Sequence, residues 1–103
     1  MNLNTLQRLQ CWYRDQCHDR WEHSYGIKIG TLDNPGWVVT IDLVGTALES
    51  VRFTKVDDLA HDTDWVTCEV KGGQFVGHGG PAQLFKILDL FLAWASDNGW
   101  NPS

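Results

Sequence analysis

The chain has 103 residues, 43% of them hydrophobic and 12% aromatic, and a formal net charge of −5. This length and composition predict one folded domain over residues 1–103 and exclude a disordered chain. The negative charge argues against nucleic acid as a partner, because nucleic-acid-binding proteins carry basic patches. It is compatible with a basic protein partner.

The sequence also indicates the compartment. The N-terminus lacks the basic start and apolar run of a signal peptide, and the apolar segment ILDLFLAWA is too short to cross a membrane. The cysteines at positions 11, 17 and 68 form no CxxC pair, which predicts reduced thiols. We therefore expect a cytoplasmic protein with no membrane partner.

The first predicted element is a helix from about Asn4 to Gln16, capped by Asn4 or Thr5. Apolar residues recur in it at a spacing of three to four and predict its buried face. They are Leu6, Leu9, Tyr13 and Cys17, with Trp12 at the edge of the stripe.

Two alternating runs, Tyr25 to Thr31 and Trp37 to Leu43, predict a pair of antiparallel strands. Pairing Thr31 with Trp37 keeps the apolar faces of the two strands together, whereas a slip of one residue mixes the faces. The connecting loop is then Leu32 to Gly36. Its last residues predict a type II turn in which Gly36 has a positive φ.

The second half predicts three further strands and a helix. The strands span Leu48 to Val56, Trp65 to Val70 and, after a Gly72-Gly73 turn, Gln74 to Gly77. The helix runs from Pro81 to Ser96 and lies across one face of the sheet beside the first helix. The predicted fold is α+β, with an antiparallel four- to five-stranded meander sheet flanked by an N-terminal and a C-terminal helix.

No catalytic or metal-binding motif stands out. Glu22 and His23 are adjacent, so on an extended strand they point to opposite faces and make a poor acid–base pair. The histidines and cysteines lack the paired spacing of zinc ligands. The acidic segment from Asp58 to Glu69 lacks the glycine that the sharp turn of a calcium loop requires. We expect no catalytic residue, no metal and no cofactor.

Two candidate surfaces for a protein partner remain. The first is the hairpin with the residues that precede it, since rigid aromatic and acidic side chains lose little entropy on binding. Its members are Trp21, Glu22, His23, Asp33, Asn34 and Trp37. The second is the acidic loop before the fourth strand, whose members are Asp57, Asp58, Asp62 and Asp64.

The run WEHSYGIKIGTLDNPGW, together with the later FVGHGGP and FLAW, resembles the immunity protein 53 family of bacterial polymorphic toxin systems. The resemblance covers about Leu9 to Ala95. It implies a small α+β cytoplasmic protein, not an enzyme, that binds and neutralises a toxin encoded by a neighbouring gene. One turn departs from the family pattern: an acidic-Gly-acidic turn follows the cysteine in the family, whereas His18-Asp19-Arg20 follows Cys17 here.

Two other functions remain open from the sequence. One is a small hydrolase-like enzyme that uses His23 and Glu22, with Cys17 as a possible third member. The other is a structural adaptor that binds a host protein without giving protection. The identity of the toxin and the face that binds it are not fixed by the sequence, and residues shared across a family do not explain discrimination between toxins.

Overall fold

The computed structural model describes residues 3–59 and 63–102. Its elements are α1 (Thr5–Gln16), α2 (Trp21–Ser24), β1 (Ile27–Leu32), β2 (Gly36–Asp42), β3 (Val56–Asp58), β4 (Val66–Lys71), β5 (Gln74–Gly79) and α3 (Leu84–Asp97). The strands form one five-stranded antiparallel sheet in the order β1-β2-β5-β4-β3. A β1–β2 hairpin is thus joined through β5 to a β3–β4–β5 meander. The predicted α+β class is confirmed.

The predicted register of the β1–β2 hairpin is confirmed. Thr31 pairs with Trp37 and Ile29 with Val39, as the alternation of apolar residues requires. The predicted type II turn is wrong, because Gly36 belongs to β2 and is not among the glycines with a positive φ. A Cβ at Gly36 would overlap the carbonyl oxygen of Gly79 in β5. Glycine is needed there for close strand approach, not for a turn.

The predicted strand from Leu48 to Val56 is wrong, since residues 44–50 form turns and β3 begins only at Val56. Side chains in this segment bond to the local backbone and so compete with strand pairing. The Thr46 hydroxyl donates to the Leu43 carbonyl at 2.7 Å, and Glu49 accepts the Gly45 N–H at 2.9 Å.

The last helix begins later than predicted, at Leu84 rather than Pro81. The chain after β5 is still attached to the end of the sheet, because the Gly80 N–H donates to the Trp65 carbonyl at 3.0 Å. The helix ends at Asp97, one residue beyond the predicted Ser96. Gly99 follows with a φ of 99°, and the N–H of Trp100 bonds back into the helix.

Both helices pack on one face of the sheet, where they form the core. Phe91 of α3 contacts Phe75 of β5 and Trp12 of α1 edge-to-face, with ring centroids 5.2 and 4.9 Å apart. In α1 the buried residues are Leu9 and Trp12, whereas Leu6 is 47% exposed. The buried face of α1 is therefore rotated toward Trp12 relative to the predicted stripe. The reason is that α1 packs mainly on α3 and leaves one flank exposed.

The α3 helix lies close to β5 because that strand presents glycine to it. A Cβ at Gly77 would overlap the Ile87 side chain of α3. We therefore expect Gly77→Ala to lower the free energy of unfolding by about 1–3 kcal/mol, the usual cost of overpacking a core. Urea denaturation measures this change. The control is Gly26→Ala, where a Cβ meets nothing within 4 Å. A Gly77→Ala protein as stable as the control would contradict this packing.

Candidate protein-binding surface

The segment that carries Glu22 and His23 is a helical turn, α2, and not the extended strand expected from the sequence. Glu22 caps the turn that precedes it: its carboxylate accepts the N–H groups of His18 at 3.1 Å and Asp19 at 2.9 Å. Backbone N–H groups, first that of Glu22 itself and then those of Asp19 and His18, hold the pKa of the Glu22 carboxyl below its usual value. The role of the Glu22 carboxylate is thus to cap the backbone N–H groups of this turn.

The turn before α2, which contains His18, Asp19 and Arg20, is tight. Asp19 has a φ of 77°, in the left-handed region that favours glycine. Aspartate tolerates this conformation better than most residues. Asp19 therefore occupies a backbone conformation that glycine adopts most easily.

Trp21 lies in the core, with 4% of its surface exposed. Its indole N–H donates to the Val44 carbonyl at 2.9 Å, and its ring meets Trp12 edge-to-face at 6.0 Å. Trp21 therefore holds α2 in place and does not offer its ring to a partner. His23 is the exposed member of this group.

The other half of the first candidate surface lies at the opposite end of β1. Asp33 and Asn34 are exposed at the hairpin tip, and Trp37 is half-buried beside it. The six residues of β1 separate this tip from α2 by about 20 Å. The structure thus divides the first predicted surface into two distant parts.

Strand pairing joins the hairpin tip to the acidic residues of the second predicted surface. Trp37 pairs with Gly79, Gly79 with Val66, and Val66 with Asp58. Asp58 and the exposed Asp64 therefore lie at the same end of the sheet as the tip. We call this surface the acidic end. It consists of Asp33, Asn34, Asp58 and Asp64.

Two other predicted members stand outside the acidic end. Asp57 precedes Asp58 in β3, so it points to the opposite face of the sheet, where Lys55 lies 3.9 Å from its carboxylate. Asp62 lies outside the described residues. Asp57 and Asp58 were expected in a loop, whereas they belong to the short edge strand β3. The sequence does not indicate this strand, because aspartate is depleted in strands.

The Trp37 indole fixes the hairpin at the acidic end. Its N–H donates to the Pro81 carbonyl at 2.8 Å, which ties β2 to the segment after β5. A second hydrogen bond, from Gln83 to Asp64 at 3.3 Å, links the same segment to the loop before β4. The hairpin tip, β3 and the loop with Asp64 are thus held in place by strand pairing and by these two hydrogen bonds.

The described residues include no group of three or more His, Cys, Asp or Glu side chains that could hold a metal ion. Burial raises the pKa of the Cys68 thiol to about 12, so this cysteine stays protonated and unreactive at neutral pH. The Cys17 thiol donates to the Tyr13 carbonyl at 3.3 Å within α1. In the described part of the chain, no helix has the length and apolarity to cross a membrane.

A family model described as immunity protein 53 matches residues 6–96, which include the whole sheet and all but one residue of each of α1 and α3. The chain belongs to the immunity protein 53 family. Comparisons with curated proteins and with solved structures give no match. In this immunity protein 53 family member, α2, the hairpin and the acidic end all fall inside the matched region.

The Trp37 contacts generate a stability prediction. Trp37→Ala removes packing against the core and the hydrogen bond to Pro81, and we expect it to lower the free energy of unfolding by about 2 kcal/mol or more. Trp37→Phe keeps most of the packing and loses the hydrogen bond, so it should cost about 1 kcal/mol. Thermal denaturation of both variants measures this order. Equal stability of Trp37→Ala and the parent protein would show that the indole is not a structural tie.

The pKa of Glu22 generates a pH prediction. A carboxyl whose pKa is lowered by folding stabilises the folded state above its unfolded pKa, near 4.3, and this contribution is lost as the pH falls through the folded pKa. We expect Glu22→Gln to lower the melting temperature at neutral pH and to flatten its fall below about pH 4.3.

The control for this prediction is Asp97→Asn, which removes an exposed carboxylate at the far end of α3. Melting temperatures of the three proteins between neutral and acidic pH give the comparison. If Glu22→Gln and the parent protein keep the same difference in melting temperature at every pH, the hydrogen bonds do not favour the ionised form.

Proposed function

We propose that this protein binds and neutralises a cognate bacterial polymorphic toxin by stoichiometric protein–protein interaction, and that it does so in the cytoplasm without catalysing a reaction. The observation that carries this proposal is the match to the immunity protein 53 family over residues 6–96. The family description implies a toxin as partner. We expect its gene to be a neighbour of the gene for this protein.

We assign the toxin contact to the acidic end. Its carboxylates come from three separate segments, which lie at the same end of the sheet. An interface held rigid before binding loses less conformational entropy when the partner arrives. The sheet and the Trp37 hydrogen bond to Pro81 supply that rigidity.

The charge of the acidic end indicates the chemistry of the partner surface. Asp33, Asp58 and Asp64 are complementary to a patch of lysine and arginine. A toxin that acts on a polyanion, such as nucleic acid, carries such a patch where its substrate binds. Covering that patch would exclude the substrate and would also speed the encounter of the two proteins.

The enzymatic alternative has less support. A general base needs a free carboxylate with a pKa near the working pH, whereas both oxygens of Glu22 accept backbone N–H groups and its pKa is lowered. His23 follows directly on the same helical turn. No observation favours the adaptor function over immunity.

The proposal is tested by calorimetric titration of the toxin domain encoded by the neighbouring gene. We expect one-to-one binding, with an affinity lowered about tenfold or more by the double change Asp33→Asn and Asp64→Asn, mainly through slower association. The loss should shrink at high salt, because salt screens exposed charges.

The matched control is Asp97→Asn, which makes a single neutralising change at the other end of α3. The two ends of α3 lie about 20 Å apart. Equal affinity of the double variant and the control would move the toxin contact away from the acidic end. Absence of binding by the parent protein to any neighbouring product would refute the immunity function.

A further inference from the structure

The two edge strands of the sheet, β1 and β3, differ in how well they are protected from pairing with a further strand. β3 is three residues long and carries two carboxylates, which is a common way to discourage pairing with another strand. β1 is six residues long and contains no proline, and its one charged residue is Lys28. Because a long regular edge is a template for strand pairing, β1 is the edge open to a further strand.

The backbone groups that β1 offers are fixed by its pairing with β2. The Asp42 N–H donates to the Gly26 carbonyl, so Gly26 forms a hydrogen-bonded pair with β2. Such pairs alternate in an antiparallel ladder, which places the next ones at Lys28 and Gly30. The N–H and C=O groups of Ile27, Ile29 and Thr31 therefore point away from the sheet.

An apolar groove runs beside this open edge, between β1 and the exposed flank of α1. Its volume is about 470 Å³. Its lining includes Leu6 and Tyr13 of α1, which are 47% and 39% exposed, and Ile27 of β1. Ile29, which is 42% exposed, follows farther along the strand. The groove lies on the helix face of the sheet, the face toward which Ile27 and Ile29 point. A strand added to β1 would place the side chain opposite Ile27 beside this groove, because alternate side chains of a strand point to the same face.

The sequence of β1 is complementary to itself. If two copies pair antiparallel with Ile29 opposite Ile29, then Ile27 lies opposite Thr31, and the outward-pointing backbone groups of both strands meet. In this register Lys28 lies opposite Gly30 of the other copy. The two lysines are thus kept apart, and the partly exposed Ile29 side chains of the two copies meet on the helix face. Thr31 of each copy lies opposite Ile27, beside the groove of the other.

We propose that β1 pairs with β1 of a second copy of this chain, so that two five-stranded sheets form one continuous ten-stranded sheet. The interface is isologous, as in most dimers of identical chains. One strand pair with two flanking grooves is smaller than a standard interface of roughly 1,600 Å², so we expect dissociation in the micromolar range. This proposal does not depend on the toxin-binding function.

The dimer leaves Asp58 and Asp64 of each acidic end accessible and places each hairpin tip beside the start of the other copy's β1. The two strands run in opposite directions, so the hairpin tips lie at opposite ends of the ten-stranded sheet. Asp58 lies on the edge strand farthest from the interface, because β3 is at the other end of the strand order. Each copy would therefore hold its own toxin.

The test changes Gly30, whose new side chain would lie opposite Lys28 of the other copy. A Cβ there meets only the Val38 side chain at 3.5 Å, an ordinary contact, so the folded monomer accepts either charge. Gly30→Lys brings like charges together, and Gly30→Glu makes an ion pair across the interface, twice in each dimer. We expect the dissociation constant to rise roughly fivefold in the first variant and to fall roughly fivefold in the second.

Sedimentation velocity across the micromolar range measures these constants. The parent protein should shift with concentration from 11.7 kDa to twice that mass. At high salt the dissociation constants of the two variants should approach each other, because salt screens the charges at positions 28 and 30. A parent protein that stays monomeric throughout the range would overturn the proposal. A dimer that responds in the same direction to Gly30→Lys and Gly30→Glu would overturn the register and with it the assigned interface.

Discussion

The close approach of α3 to β5 is the constraint on which the rest of the structure depends. Gly77 and Gly79 present no side chain on the helix face of β5, and Ile87 of α3 fills the space above them. Phe91 can then contact both Phe75 and Trp12, and Trp12 in turn contacts Trp21. One aromatic chain thus joins the sheet, α3, α1 and α2, and each link requires that α3 lies at this depth.

The high tryptophan content serves the same purpose at the edges of the core. Four indole N–H groups donate to oxygens in parts of the chain far apart in sequence. Trp94 holds the irregular segment after β2 through the Arg52 carbonyl, and Trp37 holds the segment after β5. A chain with long irregular connections is made rigid by these ties. The hairpin that carries Asp33 is fixed in this way by Trp37.

The sequence predicted those features that depend on alternation or on local caps. The β1–β2 register follows from the apolar pattern, and the start of α1 follows from Asn4, which forms a capping box with Gln7. Features that depend on contacts distant in sequence were missed. The segment with Thr46 and Glu49 has strand-forming neighbours, but its side chains bond to the local backbone. The burial of Trp21 depends on Val44, and no local pattern reports that contact.

The candidate site was predictable only in part for the same reason. Its acidic residues were identified one by one, but their grouping depends on β2 pairing with β5 rather than with β3. That pairing brings the hairpin tip to the same end of the sheet as Asp64, while the length of β1 separates the tip from Glu22. The open edge of β1 also follows from the strand order, so the two proposed interfaces occupy different parts of one sheet.

The most direct test of the toxin contact is amide hydrogen exchange of this protein with and without its toxin. Bound toxin should slow exchange around residues 31–37 and 63–66, at the acidic end, and leave α2 unchanged. Protection confined to α2, or to the middle of the sheet, would contradict the assignment of the acidic end as the surface that binds the toxin.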